Sequence, residues 1–154
     1  LEIIGGSVKE RIKHMKKINK FVGEYNFLCN FYPSPFDIGG RVFPTVEHGF
    51  QAFKATNTTH FEVIAEADSP GKAKSLGNQV VLRSDWEDMK VSIMRLCLVK
   101  KFTHNPELHK KLLETRDAYL EEGNNHGDTI WGTVNGEGQN LLGELLMEVR
   151  SLLS

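Results

Sequence analysis

Cysteine is nearly absent. Cys29 and Cys97 are the only two in 154 residues, too few for a disulfide framework and without the spacing of a metal site. A reducing, cytoplasmic setting is the expectation that follows. No apolar run approaches the length of a membrane span, and the first residues lack the apolar centre of a signal peptide. Charge of one sign is lacking too: 19 Lys/Arg stand against 20 Asp/Glu, a formal net charge of -1. That argues against a broad electrostatic nucleic-acid binder, though not against a local anion site. There are no internal repeats and no low-complexity tracts.

What is present is globular in character. The chain is 40% hydrophobic and 25% charged, enough for one domain with a real core. Residues 1–20 stand apart as a basic arm or leader, and 21–154 read as the domain. Lys9, Arg11, Lys13, Lys16, Lys17 and Lys20 face only Glu2 and Glu10 there. Val8, Ile12, Met15 and Ile18 follow a helical stripe, and Gly5-Gly6-Ser7 has the composition of a linker.

The most informative stretch is Pro44 to Lys54. Pro44 forces extended backbone before it, and Thr45 is placed to cap a helix. Glu47, Gln51 and Lys54 then fall at i, i+4 and i+7 on one stripe, with Phe50 and Phe53 beside it. Two readings are open at this point. The acid and the amine form either a solvated surface pair worth a few tenths of a kcal/mol or a buried pair whose cost implies use.

The other segments follow in order. Tyr25 to Phe36 is aromatic and broken by Pro33 and Pro35, so a loop or short strand is expected, with Asn30 near a cavity. Asp37 to Phe43 reads as a hairpin about Gly39-Gly40. Thr58 to Asp68 is helical. Ser69-Pro70 starts another helix that Gly77 ends, with Lys72 and Lys74 near its anion-favouring N-terminus. Ser84 and Glu87 form a capping box for the longest helix, of about five turns. Asn105 caps a helix from Pro106, and Tyr119 to Glu122 is a candidate strand. Gly123 to Gly138 is a long irregular loop carrying Asp128 and Trp131, and such loops are usually functional. A last helix covers Asn140 to Leu153.

With these segments placed, the chain resembles the NADAR family of small N-glycosidases from about Asn26 to Leu153. The matching blocks are Phe27-Leu28-Cys29-Asn30-Phe31; Phe43-Pro44-Thr45-Val46-Glu47-His48 with Gln51-Ala52 and Lys54; Ser69-Pro70-Gly71 with Leu76-Gly77; Arg83 with Asp85-Trp86; Asp128 with Trp131-Gly132; and Gly138 with Asn140 and Leu142-Gly143. The resemblance implies a compact, mainly helical α+β fold with a few short strands. It implies cleavage of bonds between ribose or ADP-ribose and a base or amine, without cofactor or metal. The partner implied is a ribosylated or ADP-ribosylated nucleotide, ADP-ribosylated nucleic acid included, and no membrane. Three departures from the family pattern stand out, and those at Asn78 and Gly127 bear on substrate. Cys29 stands where serine is frequent, Asn78 where many members have arginine, and Gly127 separates His126 from Asp128.

N-glycoside cleavage requires a proton for the leaving nitrogen and a partner for the cationic anomeric carbon. Lys54 is the expected nucleophile, Glu47 the proton shuttle and Asp128 a second acid. Trp131 is expected to stack on the base, and Asn30 to bond ribose or base. Lys72, Lys74 and Arg83 are candidates for phosphate. Phe31, His48, Gln51, Trp86, Gly132 and Asn140 complete the substrate contacts that the resemblance implies. A non-catalytic protein that sequesters nucleotides is the competing reading, and an interaction module built on residues 8–20 is a third.

Overall fold

The computed structural model describes residues 16–154. The linker Gly5-Gly6-Ser7 and the stripe positions Val8, Ile12 and Met15 lie outside the described residues. Ile18, assigned to that stripe by spacing, is in a strand instead. Lys17–Ile18 (β1) pairs in parallel with Tyr119–Leu120 (β4). The N–H groups of Tyr119 and Glu121 donate to the carbonyls of Lys16 and Ile18. Backbone bonding to the far end of the domain thus overrides a local period.

The segment expected to be loop or short strand opens as a 3-10 helix, Gly23–Leu28, which buries Phe27 and Leu28. The hairpin follows as Phe36–Ile38 (β2) and Arg41–Phe43 (β3), with Phe36 opposite Phe43. Gly39 and Gly40 turn it at φ +59° and +90°, a backbone shape that L side chains resist. Asp37 Oδ1 accepts the Gly40 N–H at 2.8 Å.

Among the described residues six α-helices complete the fold. They are Val46–Ala52 (α1), Thr58–Ala65 (α2), Pro70–Gly77 (α3), Trp86–His104 (α4), Pro106–Glu114 (α5) and Leu141–Leu153 (α6). Thr45 caps α1 and Ser69 caps α3, each by its hydroxyl accepting an N–H three residues on. Two expected caps are not made. The Asp85 carboxylate is held by the Arg83 guanidinium at 2.6 and 3.0 Å, α4 begins only at Trp86, and no side chain caps it. The Asn105 amide donates to Pro35 and Lys101 carbonyls, so it ties α4 to the hairpin rather than capping α5.

The helix α4 runs through the centre, packed by α1, α6, α5 and β2. The helix α1 packs on α2, α3 and α4, and all seven of its residues are buried. Its core side is aromatic: Phe43 meets Phe36, Phe53 and Phe61 with ring centroids 5.6–5.9 Å apart. The fold is a mixed, mainly helical one with few short strands. Among the described residues no helix is long and apolar enough to cross a membrane.

Candidate active site

Burying α1 decides the first open question of the sequence. Glu47 is 7% exposed, Gln51 3%, and Lys54 is half-buried. All three line one cavity of about 410 Å3, within the roughly 300–1,000 Å3 usual for small-ligand sites. The pair is no solvated surface bridge.

Each side chain is held by identifiable neighbours. Gln51 Nε2 donates to Glu47 Oε1 at 2.8 Å. Gly77 on α3 leaves room for Gln51, since a methyl group there would collide with the Gln51 amide. Lys54 lies just past α1, its N–H bonded to Gln51 O and its carbonyl accepting the Arg83 N–H at 3.0 Å. Its ammonium nitrogen stands 5.7 Å from the Phe50 ring centre and 5.8 Å from that of Trp86. Phe50 in turn packs against Trp86 and Trp131.

Burial pushes the Glu47 carboxyl upward, against the pull of Gln51, Lys74 and Lys54. Burial likewise lowers the Lys54 amine, with Glu47 opposing and Lys74 adding to it. Both groups are drawn toward their uncharged forms. A free amine beside an acid that can hold its proton is the pair needed for nucleophilic attack at an anomeric carbon.

The opposing elements add the rest. Asp128 Oδ1 accepts the N–H groups of Ile130 and Trp131 at 3.0 and 2.9 Å, which sets Trp131 on the cavity wall. Asn124 knits this loop: it accepts the Asp128 N–H and donates to the Asp128 and Thr133 carbonyls. Asn30, Phe31 and Lys74 also reach the cavity. Asn30 Oδ1 and Gln51 Oε1 are buried with no hydrogen-bond partner among the described residues, and such acceptors call for donors from a ligand.

Six candidates lie off the cavity wall. His48 is 2% exposed; its Nε2 donates to the Ala67 carbonyl at 2.9 Å and its Nδ1 meets the Thr45 hydroxyl at 2.8 Å. It ties α1 to the end of α2. Trp86 lies beneath Lys54. Arg83 is engaged by Asp85, and Lys72 is exposed on α3, so neither is placed for phosphate in the cavity. Gly132 and Asn140 are backbone supports. Asn140 sits at φ +53°, accepts the Glu122 N–H at 2.9 Å and donates to the Leu120 carbonyl. A side chain at Gly132 would collide with the Glu122 carbonyl oxygen.

Residues that sequence reasoning did not assign are Cys29, Phe50, Asn78, Met94, Glu122, His126 and Leu142, all on the wall. Asn78 carried a signal in its departure from the family pattern, as did Cys29. Glu122 carried none, because it lies past β4, which ends at Leu120, with no local pattern to mark it.

Gly132→Ala is expected to lower stability by about 1–3 kcal/mol, since overpacking against backbone has little room to relax. Urea denaturation would read it as a lower midpoint with unchanged slope.

An α+β protein with a buried acid, a half-buried amine and an aromatic wall around one cavity is built for covalent or acid–base work on a small, donor-rich ligand. The comparisons with known proteins narrow this. The NADAR domain model matches residues 17–154. The chain is 37% identical to the N-glycosidase YbiA of Escherichia coli over 153 residues, 94% of this chain and 95% of that protein. It is 36% identical to an N-glycosidase of Nostoc punctiforme, covering 84% of this chain and 89% of the other. A riboflavin biosynthesis protein of Vibrio vulnificus is 37% identical, over 84% of this chain but only 36% of that longer protein. The NMR structure of Escherichia coli YbiA superposes with a TM-score of 0.80 at 36% identity, covering 90% of this chain and 86% of the other. The chain belongs to the NADAR family, and it is an N-glycosidase.

Proposed function

We propose that the bond cleaved joins ribose, as ribose phosphate or ADP-ribose, to a base or amine. Substrates of this class are ADP-ribosylated guanine and the phosphorylated ribosylamino-pyrimidines of riboflavin synthesis. The observation that carries the proposal is buried Glu47 beside half-buried Lys54 on one cavity, both drawn toward their neutral forms. Lys54 attacks the anomeric carbon, and Glu47 holds the proton that Lys54 gives up. Asp128 holds the ribose hydroxyls and Trp131 stacks on the base; that both line the cavity supports these roles. Asn30 and Gln51 supply unfilled acceptors, which suit hydroxyl and amino donors. Lys74, exposed at the rim, is the remaining candidate for phosphate. The riboflavin name of the Vibrio relative supports the pyrimidine branch.

The test is a panel of ADP-ribosylated guanine oligonucleotide, NAD derivatives and phosphorylated ribosylamino-pyrimidines, with products read by mass spectrometry. Release of free base or amine from one of them, with turnover, is the expected result. Stoichiometric binding with no base released from any would overturn the proposal in favour of sequestration.

A further inference from the structure

The reaction as outlined leaves one requirement unmet. When Lys54 displaces a base at the anomeric carbon, the base departs from the face opposite the attack. Glu47, on α1, and Lys54, in the turn directly after it, reach the cavity from one stretch of chain, so Glu47 is on the side of the nucleophile. An amine-linked base departs only with a proton, which has to come from a different wall.

Glu122 lines the cavity from a different element, just after β4. Its carboxyl lines the cavity, its Oε2 is buried, and that oxygen has no hydrogen-bond partner among the described residues. No Lys or Arg pairs with it there either. The groups facing it are Asp128, whose carboxylate is tied to its own loop, the Cys29 thiol across the cavity, and His126 at the rim. A buried carboxyl with no donor and a carboxylate neighbour keeps its proton. Burial, with Asp128 adding to it, pushes it up to about 7.

The backbone around Glu122 is fixed from several sides. Its N–H donates to Asn140 Oδ1, and its carbonyl accepts the Thr133 N–H at 2.9 Å. Gly132 leaves space for that carbonyl, and Gly143 leaves space for Leu120 and Asn140. The residues expected from the sequence to touch substrate, Gly132 and Asn140, thus hold Glu122.

We propose that Glu122 is a further catalytic residue, the acid that protonates the leaving nitrogen. The inference rests on the N-ribosyl reading above. In the first step the Lys54 Nζ–C1′ bond forms and the C1′–N bond breaks. The electron pair of the broken bond stays on the leaving nitrogen, which takes the Glu122 proton. A ribosyl-ammonium at Lys54 and a Glu122 carboxylate remain. In the second step water attacks C1′, Lys54 departs as the free amine, and the water proton restores Glu122.

The test compares wild-type protein with Glu122→Gln on two probes, a phosphorylated ribosylamino-pyrimidine and nicotinamide mononucleotide. The pyridine of the second leaves neutral and takes no proton. E122Q is expected to lose about 10²–10⁴-fold in kcat on the first probe, the usual worth of an acid, and far less on the second. It also loses the alkaline limb of the kcat/KM profile. Equal losses on both probes, or none, overturn the proposal. Difference infrared spectra at neutral pH supply a readout without turnover: wild-type protein shows a protonated-carboxyl band that E122Q lacks, and its absence also overturns the proposal. Wild-type protein that shows the band but cleaves no N-riboside overturns the reading beneath the inference, so the two failures are distinguishable.

Discussion

Replacing Lys54 with alanine is expected to lower kcat by about 10⁴–10⁶-fold, the scale seen when a nucleophile is removed. Binding is expected to change little, because Phe50, Trp131 and the orphaned acceptors of Asn30 and Gln51 remain on the wall. Arginine will not rescue the variant, since a guanidinium stays charged and cannot attack. The position of the amine explains why the effect should be large. Its backbone is pinned on both sides, by Gln51 and by the Arg83 N–H, and its charge is disfavoured by burial and by Lys74. The free amine is therefore available at lower pH than for an exposed lysine, and activity should rise with pH as Lys54 deprotonates. Borohydride added during turnover should reduce the ring-opened imine of the ribosyl adduct and leave a sugar on Lys54, read by peptide mass spectrometry. An adduct on another lysine, or an alanine variant within about tenfold of wild type, would remove Lys54 from the role of nucleophile.

Stability should climb with pH above neutrality, and Lys101→Met should flatten that climb. Lys101 on α4 is fully buried. Its Nζ donates to the Cys29 carbonyl at 3.1 Å and lies 5.2 and 6.0 Å from the Phe102 and Tyr32 ring centres. No carboxylate pairs with it among the described residues, and burial lowers it to about 7. The unfolded lysine holds its proton to about 10.5, so between these values the unfolded state binds more protons and stability rises with pH. Below about 7 both states are protonated and the penalty is complete. From pH 7 to about pH 9.5 the gain is roughly 3 kcal/mol, at about 1.4 kcal/mol per unit. Urea midpoints of wild type and K101M at the two pH values would read it. Parallel profiles would show that Lys101 stays charged in the fold. Because Lys101 holds the carbonyl of Cys29, which is on the cavity wall, the same titration bears on the site.

Local patterns on the chain carried most of the elements. Thr45, Ser69 and Gly39-Gly40 act where they stand, because a hydroxyl cap or a left-handed turn depends on two or three neighbouring residues. The same locality misled at Ser84 and Asn105, whose capping was displaced by Arg83 engaging Asp85 and by a bond to the Pro35 carbonyl. At Ile18 a helical period gave way to pairing with Leu120.

The sequence by itself determined that Glu47 and Gln51 share one face, since 3.6 residues per turn is a property of the backbone; Lys54, expected on the same helix, lies in the turn past α1 and reaches the cavity from there. Its motifs also placed the chain in its family, along with Asp128 and Trp131. Only the tertiary structure decided that this face is buried, because burial depends on α2, α3 and α4 closing over α1. Only it separated Asp128 and Trp131, on the cavity, from His48, Lys72 and Arg83, off it, and turned Gly132 and Asn140 into supports. Glu122 became visible for the same reason. Its partnerless carboxyl is a property of what surrounds it, and those surroundings come from β4, the long loop and the start of α6, which meet only in the folded chain.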